Sequence, residues 1–391
     1  MNNLRYKKAI SKKMSAKILT RREFIKSTTV TSITLASLSA WPKLATVKEE
    51  TVKSSKLLKI NVAGYDSDHV KALIDGRIQI KGCETHFEIA GISNVNNHVF
   101  TGPKTREVTE IGLHPFMLAY ANDGFRDYTL IPVFPLRTFR HKSIYIRKDR
   151  GISKPEDLRG RKIGTTGYAQ SSLVWIRGIL QHEYNIKPED IQWVIASKDS
   201  AAKASGGKGS AQEMMLPDGV SVTQGPEGKD ESEMLTDGDV DALFLAAEPR
   251  AFVEGDPNVA RIFPDSRKVE REYFQKTGIF PIMHAVAIRK DIIDKHPWLP
   301  KAVFDGYSEA KQLVYDYLQE FAWFKTPLPW ISQEYLETKK AMGDNYWPYG
   351  IEPNRNTLEA LLQYSYEQGF TNRILKIEEL FHSSTLEYVE T

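Results

Sequence analysis

The 391 residues are 41% hydrophobic and 26% charged, an ordinary globular balance with room for two domains. The formal charge of +3 is unevenly spread: residues 1–45 hold ten Lys/Arg and one acid, leaving 43 bases against 49 acids, a net of −6, in the rest. A body that acidic is a poor match to nucleic acid, where a basic face would be expected, and a single cysteine, Cys83, excludes an intramolecular disulfide.

In chain order, residues 1–45 have the layout of an export signal. A basic region ends in Thr20-Arg21-Arg22-Glu23-Phe24-Ile25-Lys26, a mildly apolar run covers Ser27 to Ala40, and small residues at Ala40 and Ala45 suit cleavage. The head resembles a twin-arginine (Tat) signal, with Ile25 in the Leu place of S/T-R-R-x-F-L-K. That resemblance implies the Tat export machinery as a partner and a periplasmic or extracytoplasmic location. The apolar run is too short and too polar to span a bilayer.

Strands are expected at Leu57–Val62, His86–Ile89, Glu110–Gly112, Leu130–Phe134 and Ile144–Ile146, with a short helix from His69 to Asp75. Ser153-Lys154-Pro155-Glu156-Asp157 reads as a helix start, with a cap, a proline in the first turn and acids near the positive end. Arg161-Lys162-Ile163-Gly164 leads into a strand, and Thr165-Thr166-Gly167-Tyr168-Ala169-Gln170-Ser171-Ser172 then leads into a helix with an apolar face at Leu173, Ile176, Leu180 and Tyr184. After a strand at Trp193–Ile195, a polar loop is expected at about 197–232. Its Gly206-Gly207-Lys208-Gly209-Ser210 lacks the phosphate-loop spacing. Strands at Val240–Leu245 and His284–Ile288 follow, and from Pro297 the chain is mainly helical, over about 297–324, 332–343, 355–369 and 372–382.

Alternating strands and helices predict an α/β fold with mainly parallel sheets. The expected organisation is two lobes, residues 57–146 plus 285–391 forming lobe 1 and 147–284 lobe 2, with a helical C-terminal part.

Seven stretches in order, "DGRIQIKG", "PVFPLRTFRHKSIYIRKD", "DLRGRKIG", "WIRGILQHEYNI", "LTDGDVDAL", "TGIFPIMHAVAIRKD" and "WPYGIEPNRNTL", carry a likeness across almost the whole body. The chain resembles the two-lobed, type II periplasmic-binding-protein-like group. Within it, the likeness is to the branch labelled 4,5-dihydroxyphthalate decarboxylase or ABC-transporter substrate-binding protein. Decarboxylase-labelled members carry a Ser-rich stretch where this chain has Glu110-Ile111-Gly112-Leu113-His114-Pro115-Phe116, and residues 201–214 look like an insertion.

The resemblance implies either a binder that hands a small anionic ligand, an aromatic or other carboxylate, to a membrane transporter permease, or a cofactor-independent decarboxylase of a hydroxylated aromatic acid. In such a fold ligands sit beyond the carboxyl ends of strands, at helix N-termini. Thr165, Thr166, Tyr168, Gln170 and Ser171 occupy one such turn. Arg137, Arg140 and His141 lie at the lobe crossing, and arginine's planar fork matches a carboxylate. His114 at a strand end, His284 within an apolar run and Arg250 after Glu248-Pro249, where a salt bridge with Glu248 or Glu254 is the alternative, are further candidates, with His114 or His141 the general acid of an enzyme. No spacing points to a metal or cofactor, and none to a covalent nucleophile.

Overall fold

The computed structural model describes residues 56–201, 209–320 and 326–390; the expected export signal lies outside them. Two sheets organise the body. The first contains β1 (Leu58–Gly64), β2 (Cys83–Ile89), β3 (Val108–Gly112), β4 (Tyr128–Ile131) and β11 (His284–Arg289), in the order β2-β1-β3-β11-β4. The second contains β5 (Ile144–Arg147), β6 (Lys162–Thr165), β7 (Gln192–Ile195), β8 (Val222–Gln224), β9 (Ala242–Phe244) and β10 (Val259–Arg261), in the order β10-β5-β9-β6-β7-β8. Five of the nine strand pairings are parallel. The antiparallel ones all involve β11 or β5, each inserted into the interior of its sheet.

Residue choice explains which strands are central. β3 and β11 carry short unbroken runs, VTEIG and HAVAI, buried on both faces, while β1 and β2 admit exposed positions. β4 stops at Ile131 because Pro132 has no N–H to donate to a ladder.

The chain passes between the sheets at 132–143 and again at 262–283. These passages zip together: Thr138 N–H donates to the Pro281 carbonyl at 3.1 Å and Met283 N–H to the Leu136 carbonyl at 2.9 Å. Arg137 sits opposite Ile282 in this ribbon. The first crossing therefore falls earlier than the expected 146/147 division: Ile144–Arg147 pairs with β9 and β10 and belongs to the second sheet. The expected loop at about 197–232 also contributes structure, since Val222–Gln224 adds β8 in parallel to β7.

The C-terminal part holds helices Leu299–Gln319, Ile331–Met342, Arg355–Glu367 and Ile377–Leu380. Arg355–Glu367 touches both lobes. Its Leu358, Leu361 and Leu362 face Leu113 and Met117 of the first lobe around a small apolar void. Its Tyr364 meets Trp175 of the second-lobe helix Ser171–Tyr184 edge-on, ring centroids 5.5 Å apart. The two helices approach so closely at Gly178 that a Cβ there would lie 2.0 Å from the Tyr364 ring. One apolar cluster runs from Val62, Ile111 and Val286 through Trp175 to Ile163 and Phe244, so the lobes share a core.

Candidate functional site

Between the sheets lies a cavity of about 800 Å³. Its walls come from the carboxyl ends of strands: Tyr65 after β1, Gly112 at the end of β3, Thr166 after β6, Ala196 after β7 and Ala246 after β9. Helices Ile92–Phe100, Leu113–Asn122 and Ser171–Tyr184 begin at this rim, and none has a side-chain cap. The first two spend leading N–H groups inside the protein, Ile92 on the Tyr65 hydroxyl at 3.2 Å and Leu113 on the Met283 carbonyl at 2.9 Å. The N–H groups of Ser171 and Ser172, both residues lining the cavity, find no acceptor among the described residues. The positive end of a 14-residue helix is thus left open to the cleft.

Arg140 stands in the same wall, only 5% exposed. Its Nη1 donates to the Ala246 carbonyl at 3.0 Å and the Ser143 hydroxyl at 3.4 Å, and its Nε to the Met283 sulfur at 3.2 Å. Among the described residues no carboxylate forms an ion pair with it and no acceptor takes its Nη2. Burial pulls the guanidinium down to about 10, partly offset by Tyr145 and Glu270, so it remains a cation at neutral pH. A buried charge without a partner is costly, and an anion in the cleft would relieve that cost.

His284, 7% exposed, lines the cavity beside Met283. Its Nδ1 lies 2.5 Å from Oε1 of Glu110, itself 2% exposed. The other oxygen of Glu110 accepts the Tyr65 N–H at 2.9 Å. Nε2 of His284 has no partner among the described residues. The Tyr65 ring, its centroid 5.4 Å away, holds the imidazole in place.

Of the residues expected from sequence, the structure brings Arg140, Thr166, Gln170, Ser171 and His284 to one cavity. The others lie elsewhere. His114 is fully buried behind the cleft, with Nδ1 donating to the Ala169 carbonyl at 2.7 Å and Nε2 accepting from the Ser365 hydroxyl at 3.0 Å. Burial pushes it down to about 3, so it is a neutral structural bridge. Arg137 turns away from the ligand space to the Asn354 side chain at 2.7 Å and the Phe280 carbonyl at 2.7 Å. It ties the crossing ribbon to the C-terminal part. His141 is enclosed by the rings of Phe263 and Tyr273 and lowered to about 4 by burial.

Thr165 and Tyr168 are buried beneath the turn that carries Thr166 and Gln170. The Tyr168 ring stacks on the buried guanidinium of Arg177, 3.9 Å away. Arg250 faces outward and pairs with Asp230 at 3.0 Å. Sequence reading passed over Tyr65, Glu110, Glu213 and Glu231. Glu110 alone had a visible signal, a carboxylate inside the buried apolar strand VTEIG. Glu213 and Glu231 sit in or just after the polar loop, where acids are commonplace.

Known proteins share this design. A family model described as NMT1/THI5 like matches residues 136–212, from the first crossing through the Ser171 helix into the loop. A 4,5-dihydroxyphthalate decarboxylase of Comamonas testosteroni is 33% identical over 330 residues, covering 84% of this chain and 98% of that protein. One of the same name from Pseudomonas putida is 30% identical over 228 residues, 58% of this chain and 85% of that protein. Among solved structures, a putative sulfonate ABC transporter periplasmic sulfonate-binding protein of Methylobacillus flagellatus aligns with a TM-score of 0.53 at 14% identity, over 84% of this chain and 93% of that one. The last is a likeness of fold, the two-lobed type II α/β arrangement. By its identity to the Comamonas protein over nearly that protein's full length, the chain belongs to the 4,5-dihydroxyphthalate decarboxylase family.

Proposed function

We propose that the protein is an exported solute-binding protein that holds a small anionic ligand, an aromatic or other carboxylate, between its lobes for a membrane transporter. The observation that carries this reading is Arg140, a buried cation with no carboxylate partner among the described residues, in a cavity that also receives the Ser171 helix N-terminus. A carboxylate there would take a charge-assisted hydrogen bond from Nη2 and backbone N–H groups from Ser171 and Ser172. Export rests on the basic head and the Arg21-Arg22 pair. Replacing that pair with lysines should leave the precursor in the cytoplasm. An unaltered export pattern would remove the Tat route.

A second reading, cofactor-independent decarboxylation of a hydroxylated aromatic acid, is favoured by the Glu110–His284 pair. In that reading His284, not His114 or His141, is the general acid. Its imidazolium gives the Nε2 proton to the ring carbon bearing the carboxylate, while a ring hydroxyl helps carry the charge. The C–COO⁻ bond then breaks, its electron pair returns to the ring and CO2 leaves.

One experiment separates the readings. The purified protein is incubated with aromatic and aliphatic carboxylates while melting temperature and CO2 are followed together. Stabilisation without CO2 supports the binder. CO2 release that His284→Gln abolishes supports the enzyme. No shift with any carboxylate overturns the anion site.

A further inference from the structure

The same cavity also holds buried acids. Glu213 is 5% exposed and Glu231 1% exposed, both line the cavity, and among the described residues neither has a cationic partner. Glu213 spends one oxygen locally: Oε2 accepts the Ser210 N–H at 2.7 Å, in a reciprocal turn where the Glu213 N–H reaches the Ser210 hydroxyl at 3.3 Å. Its Oε1 has no donor among the described residues. The segment is fixed over the cleft, since the Glu213 carbonyl accepts the Ala169 N–H at 2.9 Å and the Gln212 amide reaches Asp123 of the first lobe at 2.8 Å. Glu231 accepts the Ser200 N–H at 3.1 Å and the Ser200 hydroxyl, and burial raises its carboxyl. The lining base Lys198 is exposed.

Sheet order separates Arg140 from Glu231. Arg140 is bonded to Ala246, just beyond β9, and Glu231 to Ser200, beyond β7. Those strands run parallel to the intervening β6, two sheet steps apart, which is roughly 10 Å. One cavity thus offers a buried guanidinium with an unpartnered Nη2 and, two strands away, the buried carboxylate of Glu231, with Glu213 over the β6 turn; among the described residues neither carboxylate has a counter-ion. A purely anionic ligand satisfies the guanidinium and leaves the carboxylates uncompensated.

We infer that the cleft takes an amphoteric ligand, a carboxylate that carries an amine or other cationic group on its far side, with the carboxylate on Arg140 and the Ser171 helix and the cation on Glu213 and Glu231. This rests on the carboxylate reading above and narrows its ligand class.

The test is calorimetric titration of the purified protein with three probes: 4-(aminomethyl)benzoate, its isostere without the ammonium, 4-ethylbenzoate, and terephthalate. The aminomethyl compound is expected to bind at least about tenfold more tightly than the isostere, the worth of one charge-assisted pair. That ratio should fall toward one in Glu213→Gln, which keeps an oxygen for the Ser210 turn, and also in Glu231→Gln; melting curves check that both variants fold. Equal or tighter binding of 4-ethylbenzoate or terephthalate overturns the amphoteric ligand and leaves the carboxylate site standing. A preference that survives both substitutions also overturns it. Failure of all three probes to bind overturns both the inference and the reading beneath it.

Discussion

Arg137, Arg140 and His141 look in sequence like one basic cluster, yet the fold sends them three ways. In the extended ribbon neighbouring side chains leave on opposite sides, so Arg137 points to the C-terminal part and Arg140, past the ribbon, to the cleft. His141 begins a 3₁₀ turn and enters the second-lobe core. Spacing showed that bases cluster here; the direction of each depended on ribbon pairing with 281–283, a contact made about 140 positions away. The two arginines should therefore answer differently to glutamine. Arg140→Gln should abolish carboxylate-induced stabilisation, a loss of about 2 kcal/mol of binding, while the free protein melts no lower, since an unpaired buried charge has gone. Arg137→Gln should lower the free protein's melting temperature, because the Phe280 and Asn354 oxygens lose their donor. If Arg140→Gln still responds to carboxylates, that residue is not the anchor.

The buried histidines add a pH dependence at the same scale. His114 and His141 are held at about 3 and about 4 by burial, against about 6.5 in an unfolded chain. Below about pH 6.5 the unfolded chain takes up protons that the folded one refuses. Stability from these groups is complete above that pH and is lost as the pH falls toward the folded values. Each ring contributes roughly 1.4 kcal/mol per pH unit in that window. Urea midpoints at pH 7 and pH 5 should fall accordingly, and His141→Phe, which suits an aromatic cage, should show a visibly smaller drop. An identical drop in the variant would mean that His141 is protonated in the folded state.

At the scale of elements, the Ser171–Tyr184 helix was legible because its apolar face repeats at helical spacing and a strand-and-turn precedes it. The open N-terminus that makes it useful followed from the same pattern. What it packs against was not legible: the Tyr364 ring comes from a helix nearly two hundred residues later. Gly178 marks that contact. In an exposed helix glycine-to-alanine would stabilise by up to about 1 kcal/mol. Here the added methyl meets a ring fixed by Trp175, so Gly178→Ala should destabilise by about 1–3 kcal/mol, read by urea unfolding. Stabilisation instead would mean that the helices separate readily. The second-lobe loop failed to announce β8 for a different reason: Val222-Thr223-Gln224 is too short for alternation to show and exists as a strand only because β7 lies alongside.

For the whole molecule, the shared core limits how far the lobes can part. The Arg355–Glu367 helix is seated on the first lobe by its leucines and bonded to the second on its other face. Just beyond its end, Gln368 accepts from Arg177 at 2.8 Å and donates to the Val174 carbonyl at 3.0 Å. Glu367 accepts from Gln181 at 3.2 Å, and His114 reaches the Ala169 carbonyl and the Ser171 hydroxyl across the same junction. Hinge opening breaks these five bonds together, at about 1 kcal/mol each, so the open state is a minor one, on the order of one molecule in several thousand. A ligand that enters only through that state associates slowly in proportion to its rarity. Gln368→Ala removes two of the ties and should raise the association rate of a carboxylate probe roughly thirtyfold in stopped-flow measurements, with a lower melting temperature. If the rate stays fixed while the melting temperature falls, the ligand reaches Arg140 without parting the lobes, and the cleft works as a preformed pocket in a rigid body.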